Sequence, residues 1–238
     1  MIYTFDWAVL WREPYGGLIL DGLKMTFYLS MTGWVGALFF GTLVGFGRTA
    51  RAWPIRTLCT AYVELLRNIP ILLQLFFWYF AFPAMLPRDI RVHLYSFGWE
   101  TGAAIVALAL YTSSRVAEHI RSGIRSADVG VRLAALSTGL SRLQAARYVT
   151  APLVLRLITP SLTSEFLTIF KSSSVAMTIG VAETTFVSQR IGNATFRFIE
   201  ASTEATVVYL CIAGLVAVVA GLLEIRLRVP GLMHREAN

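Results

Sequence analysis

Residues Val131 to Pro152 read VRLAALSTGLSRLQAARYVTAP. Leu133, Leu136, Leu140, Leu143 and Ala146 recur at steps of three and four, the period of a helix with one apolar side. Gly139 and Ser141 interrupt that period midway, as the turn of a helix–turn–helix does, and Ser141 is placed to cap the second half. The stretch and its flanks are basic, with Arg121, Arg125, Arg132, Arg142, Arg147 and Arg156. A basic amphipathic helix pair of this kind either docks on a soluble partner or lies on lipid headgroups. Periodicity alone leaves both open.

On either side of this segment the chain turns apolar. The 238 residues are 56% hydrophobic and 15% charged, against roughly a quarter charged in soluble domains, and mean hydropathy is +0.62. A bilayer-spanning helix takes about 20 mostly apolar residues. Five such spans are expected, at about Met25–Phe46, Ile69–Leu86, Thr101–Ala117, Leu153–Val181 and Ala205–Ile225. The fourth contains Pro160, Glu165 and Lys171, followed by Ser172, Ser173 and Ser174. It reads as a broken, polar span, which is tolerated where it packs on protein or lines a wet cavity. Gly41 and Gly45 have the spacing that lets helices approach closely, within the chain or between two chains. Met1–Leu20 has no basic leader before an apolar run, so a cleavable signal peptide is not expected. Its Trp7, Trp11 and Tyr15 fit an interfacial segment over 1–20.

Net charge is +7, and the basic residues are distributed by loop rather than gathered in an arm, which favours membrane topology over nucleic acid as their explanation. Thirteen of the 21 Lys and Arg fall in the loops after the first and third spans and after the fifth; six fall on the opposite side, and Arg115 and Lys171 lie within spans. The positive-inside rule puts the N-terminus outside and the C-terminus in the cytoplasm.

Ala134-Ala135, Gly139-Leu140-Ser141 and Ala151-Pro152 resemble the EAA loop of binding-protein-dependent ABC importer permeases. The likeness continues through Gly22-Leu23-Lys24-Met25-Thr26, Tyr62 to Pro70 with Gln74, Ala117-Glu118 with Arg121 and Gly123, Thr163 to Phe166, and Lys171 to Ser174, covering about residues 18 to 228 in order. Within the family, Tyr111 to Glu118 and Leu162 to Leu167 are most similar to the polar amino acid branch that carries glutamate and aspartate. Leu133 stands where the family's glutamate is usual, and Ala151 replaces the common leucine.

The resemblance implies an all-α membrane protein of five transmembrane helices with the type I (MetI-like) importer fold. Its permease domain would span 21–228, with coupling helices at about 128–150 and a cytoplasmic tail at 229–238. It further implies a bacterial inner-membrane location, a cytoplasmic ABC ATPase dimer engaging Ala134, Ala135, Gly139, Leu140 and Ser141, a second permease subunit (self or paralogue), and an external solute-binding protein. The alternative within the family is a neutral or basic polar amino acid such as glutamine, arginine or histidine.

The residues themselves exclude several chemistries. No GxxxxGK[ST] loop is present, so ATP would be bound by the partner and no cofactor is expected in this chain. His93, His119 and His234 lack metal-ligand spacing, and Cys59 and Cys211 stand alone. The charges inside the spans are the candidates for a substrate site, because a charge at the bilayer centre costs about 3 kcal/mol and so faces a cavity or a partner. Arg115 shares a helix face with Tyr111, Glu118 and His119, and Arg115 with Glu118 forms the first candidate substrate-binding set. Its guanidinium is suited to a substrate carboxylate. At about 1.5 Å per residue it lies roughly 21 Å from Thr101, so snorkelling or pairing with Glu118 is the competing reading. Lys171, Ser172 and Ser173 form the second candidate set, with Lys171 pairing to Glu165 or Glu118 as the alternative. Gln74 is either a pore-lining amide or an interhelical hydrogen bond, and Glu64 with Arg67 reads as a structural pair.

Overall fold

The computed structural model describes residues 3–127 and 129–227, the side chains of 129 and 223–227 excepted. Asp128 at the start of the expected coupling segment, the expected tail and the arginines at 228 and 235 lie outside the described residues. All regular structure among the described residues is helical. After a 3₁₀ turn at Trp7–Trp11 come α1 (Tyr15–Gly47), α2 (Trp53–Asn68) and α3 (Ile71–Ala84), then α4 (Arg88–Ser96), α5 (Trp99–Ser126) and α6 (Val129–Ser137). The chain continues through α7 (Arg142–Ile179), α8 (Thr184–Thr195) and α9 (Phe198–Leu227).

The all-helical membrane fold is present, but the count of five spans is not reproduced by length and apolarity. Among the described residues, α1, α7 and α9 are long and apolar enough to cross a membrane, and a fourth crossing counts if α2 and α3, bent by 104°, are taken as one. α5 holds the expected third span and is 28 residues long. Its run of Tyr111, Thr112, Ser113, Ser114 and Arg115 dilutes its apolarity below that of the other three. The expected fourth span is not broken at Pro160: α7 runs through it. The hydroxyls of Thr159, Thr163, Ser164 and Thr168 each donate to the carbonyl four residues back, which keeps polar groups satisfied inside the helix as hydrocarbon demands. The break falls instead at Ile69-Pro70, where Gln74 donates to the carbonyls of Leu66 (2.8 Å) and Ile69 (3.0 Å). Gln74 is thus a tie across the bend, closing the orphan carbonyls of α2.

Prolines shape the helices more subtly elsewhere. Single π turns at Phe77–Ala81 and Ala146–Thr150 precede Pro83 and Pro152. A proline lacks the N–H for the carbonyl four residues earlier and crowds it, and a widened turn there relieves both.

α1 packs along α5 at the distance that its glycines permit. A Cβ on Gly41 would sit 2.6 Å from Val116, and one on Gly45 would sit 2.9 Å from Ile120. The small-residue spacing therefore serves packing within the chain. The core behind this contact joins α1, α5 and α7 through Leu29, Ala104, Ala107, Leu108, Ile169 and Phe170. α1 begins at Tyr15, well before Met25, and the N-terminal segment is tied to α9: Asp6 N–H donates to Glu200 (2.9 Å), as does the Tyr3 hydroxyl, while Val9 and Leu10 bury against Val187, Ile191 and Ala201.

Candidate functional site

Two sites emerge, one on the wall formed by α5 and α7, the other on the loop between α5 and α7. On the wall, the spacing of four between Tyr111, Arg115 and His119 puts all three on one side of α5. Arg115 donates to the Tyr111 hydroxyl at 2.7 Å and lies 3.7 Å from Glu165 on α7. His119 is 3.1 Å from the same carboxylate oxygen, while the other oxygen of Glu165 is buried without a hydrogen-bond partner. Arg115 keeps 40% of its side chain exposed, so it is held but not enclosed.

Glu118 turns away from this group. Its carboxylate is met by Arg48 at the end of α1, by Arg121 one turn on, and at 4.0 Å by Arg67 at the end of α2. Arg121, and then Arg48, hold its carboxyl down at about 2 against the opposing effect of burial. Glu118 lies beyond the apolar stretch that ends at Ala117 and is a fixed anion joining α1, α2 and α5. The single face expected for Tyr111, Arg115, Glu118 and His119 thus divides: three residues face α7 and one anchors α1. Glu64 and Arg67 do not pair, since Glu64 is exposed and Arg67 reaches Glu118; α2 carries them on its surface, where the neighbouring helix offers a better partner.

Lys171 is exposed and has no ion pair among the described residues, so it pairs with neither Glu165 nor Glu118. Ser172 is half-buried beside it, and Ser173 is buried, donating to Phe170 O at 2.7 Å. Reading forward along α7, Ser161, Ser164, Thr168 and Lys171 recur at steps of three and four and lie exposed or half-exposed. They form a polar stripe beside Glu165. Residue-by-residue scanning for charges missed this stripe; its polar period was visible in the sequence.

At the loop, α6 ends at Ser137 and Gly139 turns the chain with φ +86°, a backbone that glycine adopts freely. Ser141 then caps α7: its hydroxyl accepts from Gln144 N–H, and the Gln144 side chain accepts from Ser141 N–H. The expected turn and cap are in place. The expected apolar side packs otherwise, since Ala135 and Ala145 are the buried residues, whereas Leu133 is 55% and Leu143 79% exposed. Ala134 and Ser141 are exposed and Leu140 half-exposed. Arg132, Arg142 and Arg147 also face outward.

A leucine pair left open beside a glycine turn has meaning once the chain is compared with known proteins. Residues 37–229 match the family described as binding-protein-dependent transport system inner membrane component. The chain belongs to this family. It is 35% identical over 225 residues to the glutamine transport system permease protein GlnP of Escherichia coli strain K12, covering 94% of this chain and 99% of that one. It is 33% identical over 246 residues to the glutamate/aspartate import permease protein GltJ of the same strain, covering 98% and 99%. Among solved structures it is similar to an amino acid ABC transporter crystallised with histidines, with a TM-score of 0.81 at 29% identity over 94% of this chain and 100% of that one. The MetNI methionine transporter shares the fold, with a TM-score of 0.67 at 20% identity over 92% and 100%. The permease is therefore a transport subunit and not an enzyme; ATP hydrolysis belongs to a separate subunit.

Proposed function

We propose that this permease translocates amino acids across the bacterial inner membrane, with acidic side chains, glutamate or aspartate, as its substrates. The observation that carries the reading is the wall of α5 and α7: a Lys171 exposed and unpaired among the described residues and a half-open Arg115 on either side of Glu165, along a stripe of hydroxyls. Lys171 lies about 9 Å beyond Glu165 along the helix, so the wall offers two cations at different depths to a substrate with two carboxylates. The buried, unpartnered oxygen of Glu165 would become the acceptor for an α-ammonium once its side chain turns toward the surface of the wall. Within this reading Ser172 lines the outer end beside Lys171, Ser173 drops out because it is buried and donates to its own helix, and Glu118 acts as a positioning residue behind the wall.

The complete importer would contain two permeases, an external solute-binding protein and an ATPase dimer. The N-terminus would lie outside and the C-terminus inside. The α6–Gly139–α7 turn, with Ala134, Ala135, Leu140 and Ser141, would seat in the ATPase. Leu133 and Leu143 are exposed there because their apolar partner is another chain. Closure of the ATPase dimer would then tilt α7 and switch access from one side to the other.

Glutamine is the second reading. It is favoured by the pairing of Arg115 with Glu165, which neutralises the deeper cation, and by the equal likeness to a glutamine permease. Uptake of labelled glutamate by the reconstituted complex, with unlabelled aspartate, glutamine and arginine as competitors, separates them. Competition by aspartate alone supports the acidic substrate; competition by glutamine overturns it while leaving the transporter class intact.

A further inference from the structure

On the side of α7 opposite the polar stripe lies a crevice of about 400 Å³ between α1, α7 and α9. Phe27, Trp34, Phe166, Phe170, Leu215 and Ala220 line it. Trp34 packs on Phe166 at 5.3 Å and Phe27 on Phe170 at 5.2 Å, so an aromatic floor joins α1 to α7 and leaves the mouth toward α9 open. Its only hydroxyls belong to Thr159 and Thr163, and both donate to their own helix, at 2.7 and 3.1 Å. The wall is otherwise apolar apart from the Trp34 indole N–H.

We propose that the crevice is a binding groove for one acyl chain of a bilayer phospholipid. First, α1, α7 and α9 are each long and apolar enough to cross a membrane, so the space between them is inside hydrocarbon. Second, from Thr159 to Phe170 the groove runs roughly 16 Å, half of a hydrocarbon core of about 30 Å, which is the depth of a single leaflet. Third, a 16 Å length of helix about 10 Å across would displace roughly 1,250 Å³, three times the space available. At roughly 30 Å³ for a group the size of a water or a methylene, the groove holds about a dozen chain carbons. Fourth, α7 carries its polar stripe on the far side; this point alone rests on reading that stripe as the pathway wall, which places the second permease there and leaves the groove facing lipid. Attraction comes from dispersion contacts in a shaped slot and not from the hydrophobic effect, since lipid tails are as apolar as the wall.

The test places the photo-crosslinking residue benzoylphenylalanine at Leu215 on the groove rim, or at Val35, equally open on α1 but outside the groove, at 61% and 64% exposure. The whole transporter is irradiated in vesicles of phosphatidylethanolamine and phosphatidylglycerol, and the permease is weighed intact. The expected result is a one-phospholipid adduct at Leu215 in several-fold greater yield than at Val35. Filling the groove with Ala220→Trp removes about ten carbon–carbon contacts and lowers the Leu215 yield about fivefold, with the Val35 yield unchanged. Cross-linking of Leu215 to another polypeptide, or equal lipid yields at the two positions, overturns the proposal. The comparison of Leu215 with Val35 stands even if Ala220→Trp does not assemble. Because the readout is adduct mass and not transport, its failure is distinct from a failure of the substrate assignment.

Discussion

Glu118 on α5 turns toward α1 and α2 while Glu165 on α7 turns toward α5, and the two carboxylates are treated in opposite ways. Glu118 is surrounded by Arg48, Arg67 and Arg121, drawn from the ends of α1 and α2 and from its own helix. Glu165 has one arginine at 3.7 Å, one histidine and an oxygen with no partner. The first is over-neutralised and holds three elements together. The second is under-satisfied and buried beside a stripe of exposed polar residues. A buried polar group without its hydrogen bond costs about 1–3 kcal/mol, so an arrangement that leaves one open is retained for what it does and not for what it stabilises.

The largest expected effect lies at the over-neutralised carboxylate. Glu118→Leu strands Arg48, whose side chain is only 9% exposed. Breaking such a pair costs about 3 kcal/mol or more. The complex should melt at markedly lower temperature in detergent, and Arg48→Met in the same chain should recover part of the loss. An undiminished melting temperature for Glu118→Leu would show that the cage is ornamental. Next comes the wall. Arg115→Gln should leave the melting temperature nearly unchanged and raise the glutamate concentration for half-maximal uptake by about tenfold or more, the cost of one charge-assisted hydrogen bond. Unchanged uptake would remove Arg115 from the site and leave it with Tyr111 and Glu165 as its partners.

The legibility of these two regions from sequence differed for a physical reason. Helix existence, the glycine contact of α1 and the cap at Ser141 depend on residues close in sequence or on local period, and all three could be read. Which way Glu118 faces depends on Arg48, 70 residues away, and no local pattern encodes that. The same holds for α8: its N-cap Glu183 is completely buried and is tied to Tyr209 of α9, so the cap acts through a tertiary contact. Pro160 misled because a proline removes a single N–H and leaves a single carbonyl, that of Arg156, without its partner, and α7 runs on through that one gap. The exposed Leu133 and Leu143 were assigned correctly as apolar, but a period cannot say whether an apolar side faces its own chain or another.

Smaller effects refine the contrast. Glu165→Gln keeps the size and the hydrogen bond to His119 while removing the charge beside Arg115. If Arg115 receives a substrate carboxylate, freeing it shifts selectivity toward glutamate over glutamine by severalfold, roughly the 0.5–1 kcal/mol expected of a partly exposed pair. A shift toward glutamine would instead mean that Glu165 itself contacts the substrate's amide or ammonium. His119→Gln should have the least effect. The amide still donates to Glu165, so the wall keeps its geometry, and uptake at saturating glutamate should remain within about twofold, less than the 1 kcal/mol of one neutral hydrogen bond. A large loss with this variant would require the imidazole for something an amide cannot do, namely to exchange a proton. Glu165 would then be a proton-linked carboxylate and no longer the static partner that its contrast with Glu118 describes.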